Sequence, residues 1–252
     1  MNTFLKNSRT GLFLILNLTC AAFSLRAETS ILADLLKASE AVVHIEAENT
    51  NQGIIKSQST APRIVSGYAT RQGTGILIDH SGVIVTNAHV VSHAEQIHVS
   101  TARGNRYNAK PLVLDTANDL CLLKIEAAQD FPFLRLADAS AVTLQSKVYS
   151  IGGSALLKNT LSEGKVTGFA FSKQLKQIPF FKRKAKDIKL FQINMDLYPG
   201  DSGSPIFNSS GEVIGIISSA AQKKGKTTFV VPSNLIRAYL TQAMASAKQT
   251  GR

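Results

Sequence analysis

The sequence predicts an all-β protein built of barrels, and three observations lead to this prediction. The 252 residues are 44% hydrophobic and only 18% charged, which is enough apolar material for a well-buried unit of this size. Short segments rich in β-branched residues recur along the chain, separated by turns of Gly, Asn, Asp and Ser. Residues 73–86 in particular predict a hairpin, in which an apolar strand and a β-branched strand flank the turn His80-Ser81-Gly82.

The first 27 residues are predicted to be a secretory signal peptide rather than part of the fold. Lys6 and Arg9 precede an apolar run at 11–23, and Leu25-Arg26-Ala27 offers a small residue before a cleavage site. The run is short for a membrane span, although an uncleaved anchor is the alternative. Residues 28–252 would then form the exported domain, with the periplasm favoured over the external medium.

The number and positions of the two cysteines predict an envelope protein without an internal disulfide. Cys20 falls inside the predicted signal peptide, where Asn17-Leu18-Thr19 makes a poor lipidation site. Cleavage would leave Cys121 alone, and its place in an apolar segment favours a buried, unreactive thiol.

The segment 198–216, YPGDSGSPIFNSSGEVIGI, contains the candidate nucleophile, Ser202. Small residues on both sides would let a substrate carbonyl approach its hydroxyl. The backbone N–H groups of Gly200 and Ser202 are the candidate oxyanion donors. An ordinary Gly/Ser-rich turn is the alternative, and a nucleophilic serine also requires a histidine base and a carboxylate.

His89 is the candidate base and Asp119 the candidate carboxylate. His89 follows the strand that ends at Thr86, where a barrel can hold an imidazole at a cleft. Asp119 immediately precedes the apolar segment 120–125, and Asp115 is the alternative carboxylate. The remaining histidines are assigned to turns, loops or strands without a role in catalysis: His44, His80, His93 and His98.

Four blocks resemble the HtrA/Deg branch of the trypsin-like serine peptidases: GTGILIDHSGVIVTNAHVV, DTANDLCLLKI, GDSGSPIFNSSGEVIGI and FVVPSNLI. With shorter matches at 150–153 and 161–166, the similarity runs from about 41 to 240. It implies two six-stranded β-barrels of the trypsin/chymotrypsin type, at about 41–126 and 142–232, with the active site in the cleft between them. The residues that match the family's triad are His89, Asp119 and Ser202, in the chymotrypsin order.

Three features depart from that family. Asp201-Ser202-Gly203-Ser204 stands where HtrA peptidases usually have Asn-Ser-Gly-Gly. Those peptidases also usually carry PDZ domains after the peptidase unit, whereas here residues 233–247 are predicted to form one helix whose apolar stripe packs on the barrel. We therefore expect no PDZ domain in this chain. The oligomeric state is left open, because residues 28–40 lack the aromatic side chains through which family members often trimerise.

Four residues are candidates for the substrate pocket: Asp196, Ser218, Ala220 and Thr228. By its position in trypsin-like folds, Asp196 would lie at the base of the pocket, where a carboxylate attracts arginine or lysine side chains. The resemblance to HtrA peptidases instead implies a preference for small aliphatic side chains. In the alternative, Asp196 bonds to backbone or pairs with a lysine.

Positive charge is concentrated in residues 172–190 of a chain whose net charge is +11. Its basic residues, against a single Asp187, are Lys173, Lys176, Lys182, Arg183, Lys184, Lys186 and Lys189. A solvated loop is the favoured interpretation, and contact with an anionic envelope surface is the alternative. We expect no nucleic acid, because an export signal is present and an aromatic-rich sheet motif is lacking. We also expect no metal or other cofactor, because the histidines lack metal-ligand spacing.

The sequence therefore predicts an exported serine endopeptidase that cleaves protein substrates through an acyl-enzyme. The alternative is a peptidase-fold protein that is catalytically resting or inactive and acts as a chaperone-like or envelope-binding module.

Overall fold

The computed structural model describes residues 31–55, 63–153, 158–175, 188–196, 198–221 and 227–250. The chain divides into two units, Met1–Lys37 and Ala38–Arg252, and both barrels belong to the second. A helix, α1, occupies residues 31–38. The predicted signal peptide lies outside the described residues. No helix in the described ranges is long and apolar enough to cross a membrane.

The first barrel closes six antiparallel strands in the order β1-β2-β3-β6-β5-β4. Its strands are β1 (Val42–Ile55), β2 (Arg63–Leu77), β3 (Val83–Thr86), β4 (Gln96–Ser100), β5 (Arg106–Asp115) and β6 (Leu120–Ile125). A short helical turn, α2 (Ala88–Val91), follows β3. Apolar side chains that alternate along the strands fill the interior, among them Ile45, Leu77, Ile84, Val99 and Leu123.

The second barrel closes in the order β10-β11-β12-β9-β8-β7 and has its own apolar core. Its strands are β7 (Lys147–Gly153), β8 (Lys158–Phe171), β9 (Lys189–Ile193), β10 (Pro205–Phe207), β11 (Val213–Ala221) and β12 (Thr227–Pro232). A helix, α3 (Ser233–Thr250), follows β12. The two closed six-stranded barrels confirm the predicted all-β fold class.

The start of α3 is tied to the connection between the barrels. The Ser233 hydroxyl donates to the carbonyl of Ala137 at 2.6 Å. Asn234 accepts from the N–H of Ala139 at 2.9 Å and donates to the Asp138 carboxylate at 2.8 Å. Hydrogen bonds from Asn234 and Ser140 lower the pKa of Asp138 to about 2. These bonds fix α3 against the segment that joins the two barrels.

Strand pairing brings two chain segments with candidate residues to the same end of the first barrel. β3 and β6 are antiparallel, with Thr86 opposite Cys121. The residues that follow β3 therefore lie beside those that precede β6. Both strands are largely buried, which fixes their register through the apolar core.

Candidate active site

His89 and Asp119 meet where β3 ends and β6 begins. Oδ1 of Asp119 accepts a hydrogen bond from the backbone N–H of His89 at 2.9 Å and lies 3.0 Å from Nδ1 of its ring. The Asp119 side chain is 5% exposed and that of His89 is 38% exposed. A buried carboxylate opposite Nδ1 favours the tautomer with the proton on Nδ1, in which Nε2 is the unprotonated nitrogen that can act as a base.

Asp119 is also held from two other sides. Its Oδ2 accepts a hydrogen bond from the Ser218 hydroxyl at 3.3 Å, and its carbonyl oxygen accepts one from the Asn87 side-chain amide at 3.2 Å. The backbone of Asp119 has φ of +55°, a left-handed conformation that aspartate tolerates better than most residues. Sequence reasoning found Asp119 but not the contacts of Asn87 or Ser218 with it.

The alternative carboxylate, Asp115, is engaged elsewhere. Its Oδ1 accepts from the backbone N–H of Asn118 at 2.9 Å, and its Oδ2 accepts from the Asn118 side-chain amide at 2.6 Å. These bonds close the turn between β5 and β6. The structure therefore brings Asp119, not Asp115, to His89.

The turn that carries Ser202 is bonded to the first barrel. The N–H of Thr74 donates to the carbonyl of Ser202 at 2.8 Å, and the Thr74 hydroxyl donates to the carbonyl of Gly200 at 2.7 Å. The Thr86 hydroxyl in turn donates to the Thr74 carbonyl at 2.7 Å. Both threonines are fully buried. Because Thr86 ends the strand that leads to His89, these bonds hold the serine turn on the same strands as the histidine.

Gly203 makes this close approach possible. Its φ is +88°, and a Cβ at this position would overlap the carbonyl oxygen of Thr74 and lie 2.7 Å from the hydroxyl of Thr86. A side chain would thus push the serine turn away from β2 and β3.

Of the candidate oxyanion donors, Gly200 lies inside a turn that two hydrogen bonds close, and Ser202 lies directly after that turn. The N–H of Asp201 donates to the carbonyl of Tyr198 at 3.0 Å, and the N–H of Tyr198 donates to Oδ2 of Asp201 at 2.7 Å. Within the described ranges, the N–H groups of Gly200 and Ser202 donate to no protein atom. The role of these two N–H groups as oxyanion donors stays a prediction.

Asp201 is itself a buried carboxylate. Its Oδ1 lies so close to Gly152 that a Cβ on that glycine would come within 2.5 Å of it. Burial raises the pKa of the Asp201 carboxyl above its usual range, and the hydrogen bond from the Tyr198 N–H partly offsets this.

Comparison with known families identifies the domain. The profile of the trypsin-like peptidase domain matches residues 73–216, a span that contains His89, Asp119 and Ser202. This chain belongs to the trypsin-like peptidase family.

The trypsin-like peptidase also resembles curated proteins of the HtrA/Deg branch, as the sequence predicted. Serine protease HTRA1B of Danio rerio is 30% identical over 221 residues, which are 87% of this chain and 43% of that protein. Serine protease HTRA4 of Homo sapiens is 32% identical over 181 residues, 71% of this chain and 36% of that protein. A Marinomonas sp. (strain MWYL1) protein named probable periplasmic serine endoprotease DegP-like is 31% identical over 186 residues, 72% of this chain and 37% of that protein. The chain spans less than half the length of these relatives.

The candidate pocket residues of the trypsin-like peptidase lie on β11, on β12 and just after β9. Thr228 is buried, pairs with Ala220 across the strands and donates to the carbonyl of Met195 at 3.0 Å. Asp196 follows Met195 and is exposed. The Ser218 hydroxyl bonds to Asp119, and the side chain of Ala220 lies outside the described part of the chain. The pocket roles of these four residues stay predictions.

The basic segment is described only at its two ends. Lys173 and Lys189 are exposed, and the Lys189 ammonium lies 4.4 Å from the centre of the Phe169 ring. Residues 176–187, which hold the other basic side chains, lie outside the described ranges. Among the described residues, no group of three or more His, Cys, Asp or Glu side chains could hold a metal ion.

Proposed function

We propose that this trypsin-like peptidase is an exported serine endopeptidase that cleaves protein or peptide substrates through an acyl-enzyme. The observation that carries the proposal is the double contact of Asp119 Oδ1 with His89, at 2.9 Å to its N–H and 3.0 Å to Nδ1. The same strands that position His89 are bonded to the turn of Ser202.

In the proposed mechanism, Ser202 attacks the carbonyl carbon of the scissile bond. His89 takes the hydroxyl proton on Nε2 and then donates it to the leaving amine. The resulting acyl-enzyme is hydrolysed by a water molecule that His89 activates in the same way. The N–H groups of Gly200 and Ser202 bind the oxyanion in both halves of the reaction.

Asp119 would orient the imidazole and stabilise its cation. A carboxylate that is almost fully buried, at 5% exposure, interacts with the developing positive charge more strongly than an exposed one does. Its two bonds to His89 also fix the ring against rotation. This is the role of the carboxylate in a Ser-His-Asp triad.

Export is supported by two independent features. Residues 1–27 have the charged start, apolar run and small-residue cleavage site of a secretory signal. The Marinomonas relative is named as probably periplasmic. We infer that the chain acts in the bacterial envelope on protein substrates.

The test is digestion of a proteome-derived peptide library, with cut sites read by mass spectrometry. Wild type is compared with Ser202→Ala and with Ser210→Ala, which removes a hydroxyl from an exposed turn. We expect cuts that are lost in Ser202→Ala and kept in Ser210→Ala. The absence of serine-dependent cuts would reject the peptidase and favour a chaperone-like or envelope-binding module on the same fold.

The same data decide the substrate class. Cuts after arginine or lysine that Asp196→Ala abolishes would support Asp196 as the base of the pocket. Cuts after small aliphatic residues would support the preference implied by the likeness to HtrA peptidases and leave Asp196 a structural carboxylate.

A further inference from the structure

The side chain of Asn87 makes a hydrogen bond that is unusual for a residue at its position. Asn87 is the residue before α2, with extended φ and ψ of −82° and 144°, where an asparagine side chain ordinarily caps the helix. Here the side chain makes no cap bond. Its amide instead donates to the carbonyl of Asp119, 32 residues further along the chain, at 3.2 Å.

The oxygen of the Asn87 side chain, which the bond to Asp119 does not use, is unpaired in the described structure. Asn87 is fully buried, and its Oδ1 has no hydrogen-bond partner within the described residues. A buried acceptor without a partner costs stability, and a cap bond from a backbone N–H of α2 would have paired this oxygen. The bond to Asp119 is therefore the only hydrogen bond that the described structure assigns to this buried side chain.

The residue that accepts the hydrogen bond from Asn87 has a strained backbone. Asp119 has φ of +55°, a conformation that persists in non-glycine residues where the surroundings enforce it. The orientation of its backbone determines where the carboxylate points. That carboxylate meets both the N–H and Nδ1 of His89, so a small backbone rotation at Asp119 would disturb two contacts at once.

We propose that Asn87 is a positioning residue for this site: its amide holds the left-handed backbone of Asp119 so that the carboxylate orients His89. The inference rests on the proposed peptidase function, which it deepens. Asn87 does not contact the reacting atoms, so its effect passes through Asp119.

The kinetic test measures kcat and KM on a peptide whose cleavage depends on Ser202. We expect Asn87→Ala to lower kcat by about 10- to 100-fold, the loss that a misplacement of about 1 Å can produce, with KM changed less than about twofold. In an Asp119→Ala background, Asn87→Ala should cause no further loss, because the carboxylate through which it acts is gone.

Two further variants separate positioning from general destabilisation. Val99→Ala removes buried methyl groups from β4, a strand that pairs with β1 and β5 and not with β6, which follows Asp119. It should lower the melting temperature while keeping kcat within about twofold. If Asn87→Ala does not fold, Asn87→Asp carries the test, because it keeps the side-chain shape and replaces the donor by an acceptor. An unchanged kcat in the Asn87 variants, or a loss fully additive with that of Asp119→Ala, would overturn the proposal.

A second readout does not depend on turnover. In protein labelled with ¹⁵N-histidine, the Nδ1 proton of His89 that bonds to Asp119 should give a downfield resonance in nuclear magnetic resonance spectra. We expect Asn87→Ala to lose or shift this resonance and Val99→Ala to keep it. If wild type cleaves nothing and Asn87→Ala still loses the resonance, the peptidase function fails and the positioning role stands. If wild type cleaves peptides and the Asn87 variant keeps both kcat and the resonance, the positioning role alone fails.

Discussion

The hydroxyl of Ser218 donates a hydrogen bond to Oδ2 of Asp119 at 3.3 Å, and both residues are buried. Ser218 belongs to β11 in the second barrel, whereas Asp119 precedes β6 in the first. The contact therefore crosses from one barrel to the other. Because His89 occupies Oδ1, the two oxygens of the carboxylate face different partners and its rotation is restricted.

Replacing Ser218 by alanine should lower kcat by about five- to tenfold, which corresponds to a loss of about 1 to 1.4 kcal/mol of transition-state stabilisation with this hydrogen bond. We expect KM to change less than about twofold, because the hydroxyl bonds to Asp119. Steady-state kinetics on a Ser202-dependent peptide measure both constants.

Ser233→Ala is the matched control, because it removes another buried hydroxyl whose bond, to the carbonyl of Ala137, lies away from the triad candidates. It should leave kcat unchanged. A raised KM with unchanged kcat in Ser218→Ala would instead support Ser218 as a wall of the substrate pocket.

Gly203→Ala should abolish Ser202-dependent cleavage and lower the free energy of unfolding by more than the left-handed conformation alone costs. A Cβ at Gly203 would overlap the Thr74 carbonyl, which belongs to the bonds that hold the serine turn. Gly104→Ala is the control, because Gly104 has a similar φ of +85° and no atom within 4 Å of its added Cβ. That variant should lose only about 1–2 kcal/mol and keep activity. If urea unfolding shows that both variants lose the same free energy of unfolding, the predicted overlap at Gly203 is wrong.

Asp201→Asn should stabilise the protein near pH 7. Burial raises the pKa of Asp201 in the folded state, so the folded protein holds this proton more tightly than the unfolded chain does. The protonated carboxyl therefore adds to the stability of the folded protein below about pH 4, the ordinary range of an aspartate pKa. This added stability is lost as the pH rises through the raised pKa of Asp201. An asparagine avoids the loss, and its carbonyl oxygen can still accept from the Tyr198 N–H.

Thermal unfolding across pH measures this difference. We expect the melting temperature of Asp201→Asn to exceed that of wild type by roughly 2–4 °C at pH 7, as about 1 kcal/mol produces in a domain of this size. The gap should shrink below about pH 4. Asp130→Asn, at a side chain that is 91% exposed, should show no such pH-dependent gap. A variant less stable than wild type at pH 7 would show that the Asp201 carboxylate is stabilising when ionised.

The barrels could be predicted from the sequence because their signals are local. The hairpin at 73–86 combines an apolar strand, a turn and a β-branched strand within one short segment. His89, Asp119 and Ser202 were found as candidates because each stands beside a strand end or within a small-residue turn. Their motifs also match a known family.

The supporting contacts could not be predicted because they join residues far apart in the chain. The Thr74 hydroxyl reaches the Gly200 carbonyl across 126 residues, and the Ser218 hydroxyl reaches Asp119 across 99. A strand pattern indicates which side chains face inward. It does not indicate which backbone atom of the other barrel lies opposite. Asn87 illustrates the same limit, because it precedes α2 without capping it and donates to Asp119, 32 residues further along the chain.

Cys121 should react with a thiol reagent only when the protein unfolds. It lies fully buried in β6. Burial, with a further contribution from the negative charge of Asp119, raises the pKa of its thiol to about 12. The thiolate, which is the reactive form, is therefore scarce at pH 8 in the folded state.

The measurement is pulse labelling with a disulfide reagent at increasing urea concentrations, followed by mass spectrometry. A Cys20→Ser background leaves Cys121 as the single thiol of the chain. We expect no labelling in the native protein and a labelling midpoint that coincides with unfolding followed by circular dichroism, because β6 belongs to the core of the first barrel. The double variant Cys20→Ser, Cys121→Ser gives the background. Labelling at urea concentrations well below the midpoint of global unfolding would mean that β6 opens locally. Because β6 begins directly after Asp119, peptidase activity should then be lost at the same urea concentration.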